Sequence, residues 1–96
     1  MTEMNDMSRR IRLDASRLTN REDMGIYMKE AFSLPDYFGR NLDALRDCLE
    51  EVAEETEIVL DRDCVQTICE NPYAYKVLLV IGRAAENNPY LHILFR

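Results

Sequence analysis

The chain reads as a single α/β domain, a three-stranded parallel sheet packed with about four helices, and three observations predict it. Short apolar or alternating segments occur near the start, middle and end of the sequence. Between them lie pairs of amphipathic stretches with helical spacing, each pair long enough to serve as a crossover. The 96 residues leave room for one core, because a chain this short buries roughly 60–65% of its unfolded surface. Strands joined through helices favour parallel pairing with right-handed connections.

The elements follow in order. Residues 1–8 are polar and aperiodic and are expected to form a flexible N-terminus, with the domain spanning 9–96. From Arg9 to Leu13 charged and apolar residues alternate, which predicts a short strand. Asp14 to Leu18 reads as a turn. Thr19 and Glu22 have the spacing of a capping box, and after them Met24, Tyr27, Met28, Ala31 and Phe32 recur on one helical face. That helix should stop before Pro35, since the residue ahead of a proline is pushed out of the helical region. A loop, Pro35 to Arg40, carries Tyr37, Phe38 and Gly39.

Asn41 is a good N-cap for a second helix with the buried stripe Leu42, Leu45, Cys48, Leu49 and Val52. Ile58, Val59 and Leu60 predict the middle strand. Asp61 or Asp63 can cap a short third helix that buries Val65 and Ile68. Asn71 and Pro72 form a cap and first-turn pair, opening a fourth helix through about Asn87. Tyr73, Val77, Val80, Ile81 and Ala84 should face its core. Tyr90 to Phe95, apolar except for His92, predicts a last strand buried on both faces.

Composition narrows the function. The net charge of −6 has the wrong sign for a protein that must neutralise phosphates, so direct nucleic-acid binding is not expected. No apolar run follows the N-terminal charges, and the longest strictly apolar run is Val77 to Ile81, so neither a secretory signal nor a membrane span is expected. Cys48, Cys64 and Cys69 are odd in number and form no CxxC pair, which suits reduced thiols in a cytoplasm.

The acidic residues are not evenly spread. Asp43, Asp47, Glu50 and Glu54 fall on one stripe of the second helix, broadened by Glu51 and Glu55 and partly offset by Arg40 and Arg46. Most acidic helix faces are simply solvated. This one stands beside the aromatic loop Tyr37-Phe38-Gly39, and aromatics next to charges are what interfaces favour.

The segment Leu34 to Leu49, LPDYFGRNLDALRDCL, closely resembles the signature of the barstar family, intracellular inhibitors of barnase-like guanyl-specific ribonucleases. More loosely the resemblance runs from the Arg9–Leu13 strand to the Tyr90–Phe95 strand, and it implies the same three-stranded parallel fold. It places Tyr37, Gly39, Asn41, Leu42, Asp43, Ala44 and Asp47 where the family's loop and helix meet the nuclease. The aspartate matching Asp47 sits there among basic side chains, occupying the place of a phosphate. Three positions depart from the pattern. Phe38 replaces a second tyrosine, Arg46 replaces a tryptophan, and Arg83 falls where an acidic contact residue is usual.

The resulting expectation is a cofactor-free, non-enzymatic protein inhibitor of a ribonuclease or nuclease toxin with a basic active site, monomeric when free. Its contact set is Tyr37, Phe38, Gly39, Asn41, Leu42, Asp43, Arg46, Asp47, Glu50 and Arg83. The alternative is an adaptor of the same fold that binds another, basic protein; Arg46 and Arg83 favour it. Other chemistry has little support. Cys48 lies on a buried stripe, His92 among apolar neighbours reads as a packed core residue, and Cys64 and Cys69 point to different faces of one helix. The acidic stripe lacks the loop of a calcium-binding EF-hand, and Gly25, Gly39 and Gly82 are too scattered for a phosphate loop.

Overall fold

The computed structural model describes residues 9–96, and the expectation for residues 1–8 lies outside them. Strand β1 (Arg9–Arg12) leads through a 3-10 turn (Ala15–Arg17) to α1 (Arg21–Ala31) and α2 (Leu42–Glu50). Strand β2 (Thr56–Leu60) is followed by α3 (Arg62–Glu70), α4 (Pro72–Asn87) and β3 (Leu91–Phe95). The sheet order is β1-β2-β3 and both pairings are parallel, with Ile11 opposite Ile58 and Ile58 opposite Ile93. The expected α/β fold with three parallel strands and four helices is the fold observed.

Helix ends are fixed by side-chain caps that satisfy otherwise orphaned backbone N–H groups. Asn41 accepts from the Ala44 N–H at 2.8 Å, Asp61 from Cys64 at 2.9 Å and Asn71 from Ala74 at 2.9 Å. For α1 the cap is Asn20, one residue beyond the expected Thr19; its side chain accepts from the Asp23 N–H at 2.9 Å. The C-terminus of α1 is closed before Pro35 is reached. Ser33 turns left-handed (φ 53°), its N–H donates to Glu30 O, and the Leu34 N–H donates to Lys29 O, the pattern of a Schellman cap.

Ile11, Ile58, Leu60 and Leu91 join Met24, Met28, Leu45, Leu49, Ile68, Val77 and Ile81 in one core. Because side chains alternate along a strand, the other face of the sheet carries Arg10, Arg12, Glu57 and His92. Arg10 Nε donates to Glu57 across β1 and β2 at 2.9 Å. The last strand is therefore not buried on both faces. β3 is an edge strand, and Phe95 at its end is 68% exposed. His92 is likewise no core residue; its Nε2 lies 2.6 Å from Glu55 Oε1, and the imidazole is about half exposed (48%).

One buried amide ties three elements together. Asn88, 3% exposed, donates through Nδ2 to Leu49 O (2.9 Å), Val52 O (2.9 Å) and Glu50 O (3.3 Å), while its Oδ1 accepts from the Tyr90 N–H (2.9 Å). It thereby adds a donor to the carbonyls at and just beyond the end of α2 from the far end of α4.

Candidate functional site

The loop before α2 is held from both sides. Its inner anchor is Phe38, which is 5% exposed and part of the core. Phe38 was expected on the contact surface. Instead the main-chain turn closed by its N–H on Pro35 O (3.0 Å) sends its ring inward and its neighbour Tyr37 outward. The absence of a hydroxyl fits that burial, since a buried phenol needs a partner. Arg40, left-handed at φ 56°, rests on Gly25 of α1, where a Cβ would lie 2.8 Å from Arg40 Cβ. Only glycine lets the loop come this close. Arg21 Nε also donates to Arg40 O at 3.3 Å.

Tyr37 is 73% exposed, and its hydroxyl donates to Glu51 Oε1 at 3.1 Å. This hydrogen bond, reinforced by repulsion from the carboxylate, holds the phenol above its ordinary pKa. Gly39 does not take a positive φ, and an added Cβ would stand at 3.4 Å from Ala44 Cβ, the edge of ordinary contact. The fold thus tolerates more than glycine here, and what glycine supplies is bare backbone at the surface. Asn41 spends its side chain internally, capping α2 and donating to Gly39 O at 3.4 Å. Leu42 is half-buried against the core and, with Arg21, Asn41, Asp43 and Tyr73, lines a shallow depression at the start of α2.

On α2 itself Asp43 and Asp47 are exposed one turn apart, and among the described residues no basic side chain pairs with either. The rest of the expected stripe is arranged differently. The helix ends at Glu50, so Glu54 and Glu55 lie beyond it. Glu54 approaches Arg9 at 3.7 Å, and Glu55 contacts His92. Glu50 accepts from Asn87 Nδ2 (3.1 Å) and from Arg46 Nε (3.2 Å), and these two hydrogen bonds hold its carboxyl below the ordinary range. Arg46 is thus turned along the helix toward Glu50. Arg83, exposed on α4, lines a separate groove with Leu79, Gly82, Glu86 and Phe95.

Sequence reading missed two members of this site. Glu51 counted only as extra charge, yet it orients Tyr37 from fourteen residues away, a separation with no local signature. Tyr73, expected in the core, is half-buried beside Asp43. The nucleophilic alternative does not assemble. Cys48 faces inward with its thiol pushed up by burial, and His92 stands on the polar face of the sheet with Glu55. No group of His, Cys, Asp and Glu among the described residues is arranged to hold a metal. No helix among them is long and apolar enough to cross a membrane.

Comparison with known proteins places the chain in a family. A family model described as Barstar (barnase inhibitor) matches residues 8–90. The chain belongs to the barstar family. A Bacillus subtilis (strain 168) protein named "Putative ribonuclease inhibitor YrdF" is 37% identical over 79 residues, covering 81% of this chain and 87% of that protein. The barstar match contains the loop, α2 and α4, whereas β3 lies outside it. The family is one of ribonuclease inhibitors rather than enzymes, and its members act by binding a protein.

Proposed function

We propose that this chain is a cytoplasmic, non-covalent inhibitor that masks the basic active site of a ribonuclease or nuclease toxin with the outer face of α2 and the Tyr37–Gly39 loop. The observation that supports the reading best is the pair Asp43 and Asp47, exposed one turn apart beside a phenol held in place by Glu51. A nuclease site gathers positive charge to bind phosphate, and a carboxylate presented on a rigid helix can take that position with charge-assisted hydrogen bonds. Asp47 is the central anchor and Asp43 its flanking partner. Tyr37 supplies aromatic area, Gly39 lets the partner approach the backbone, and Leu42 adds apolar contact. Asn41 positions the loop and helix, Phe38 anchors the loop from below, and Glu50 holds Arg46. Neither cofactor nor direct nucleic-acid contact takes part.

Mixing the protein with a panel of basic ribonucleases tests this directly. Inhibition should be stoichiometric and reversible, with an association rate that falls steeply as salt is added. Unchanged activity of every enzyme in the panel would refute it and leave the second reading, an adaptor of the same fold. That reading, an adaptor for another, basic protein, is favoured by Arg46 and Arg83, two positive charges that a cationic nuclease site would repel.

A further inference from the structure

We infer that the outer edge of β3 and the groove between β3 and α4 form a docking surface for a second copy of this chain, giving a two-fold dimer with a continuous six-stranded sheet. The ladder fixes which backbone groups are free. Thr56 N–H donates to Tyr90 O and Arg96 N–H donates to Leu60 O, both at 2.9 Å. In a parallel ladder the bonded residues of one strand alternate, so His92 and Leu94 turn their main chain toward β2. Ile93 and Phe95 then direct N–H and C=O outward. The Leu91 carbonyl does so too, while its N–H is held by Asn88 O at 3.1 Å. An antiparallel two-fold centred on Ile93 sets Ile93 against Ile93 of the second copy and Leu91 against its Phe95. Four intermolecular bonds result: two between the Ile93 pair and two from Phe95 N–H to Leu91 O.

The side chains fit the same operation. Ile93 and Phe95 share the groove with Leu78, Leu79 and Gly82 of α4, and Phe95 and Leu79 are 68% and 46% exposed. The groove's charged members are one of each sign, Arg83 and Glu86, a turn apart on α4. A two-fold brings α4 of each copy antiparallel to the other, so Arg83 of one faces Glu86 of the other, and the patch is complementary to itself. The opposite edge of the sheet is closed to such pairing. β1 carries Arg9, Arg10 and Arg12, the kind of charge that blocks edge-to-edge contact, while β3 has only His92, turned to the polar face. The surface lies on β3 and the outer side of α4, whereas Asp43 and Asp47 stand on α2, so the dimer inferred in place of the expected free monomer keeps both acidic faces available.

Sedimentation velocity from low micromolar to millimolar protein should show a reversible monomer–dimer equilibrium. Phe95→Lys, at an exposed position, should keep the thermal melt of the parent chain and remain monomeric throughout. Arg83→Glu or Glu86→Arg alone should weaken dimerisation by about tenfold or more, and the double exchange should restore it. A parent chain that stays monomeric at millimolar concentration would leave the groove to some other occupant and overturn the inference. Dimers indifferent to Phe95→Lys, or a double exchange that rescues nothing, would overturn it equally.

Discussion

The acidic run from Asp43 to Glu55 divides into two halves of opposite character. In the first, Asp43 and Asp47 meet solvent with no basic partner among the described residues. In the second, every carboxylate is engaged: Glu50 by Asn87 and Arg46, Glu51 by Tyr37, Glu54 by Arg9 and Glu55 by His92. The sequence places both halves on one stripe, but only the first can offer its charge to another molecule without first giving up an internal bond. Counting acidic residues overstates such a surface. What matters is which of them the fold has left over.

Exchanging one member of each half tests that division most sharply. Asp47→Ala should cost nuclease binding about 2–5 kcal/mol, a range that interfaces of this same family helped to define, through loss of a desolvated charge and exposure of unpaired basic groups on the enzyme. Glu54→Ala, outside the helix, should change affinity by less than about threefold, as rim charges do. Isothermal titration of both variants decides the matter, and equal small losses would mean that the charge acts only diffusely. An effect smaller than that of Asp47→Ala is expected from Asn88→Ala. It strips partners from the carbonyls of Leu49 and Val52 and from the Tyr90 N–H, and should lower folding stability by about 1–3 kcal/mol in urea titrations.

The smallest effect concerns pH. The Glu50 carboxyl titrates below its ordinary value, so its contribution to stability is complete above the unfolded value of about 4.3 and is lost as pH falls through the folded one. Asn87→Ala removes the larger cause, and carboxyl NMR should then show Glu50 titrating nearer its ordinary value.

What was legible in advance was local. The Asn71-Pro72 start of α4 and the Asn41 cap stand where their residue types place them, because a cap is decided within four residues. Thr19 lost the α1 cap to its neighbour Asn20, a better acceptor one position on. Hidden in the sequence were choices made over long separations: which of two adjacent aromatics turns inward, which glutamate receives the Tyr37 hydroxyl, and whether an apolar strand sits inside a sheet or at its rim. His92 shows the cost of the last error, since apolar neighbours in sequence became exposed neighbours on an edge.

Gly25 extends this point to a helix that never meets the proposed partner. Because no side chain fits between α1 and Arg40, the height of the loop before α2 is set by a single missing methyl in the scaffold beneath it. Enlarging that residue would press on Arg40 and displace the loop beside it, so the proposed docking surface can be reshaped by a substitution outside it.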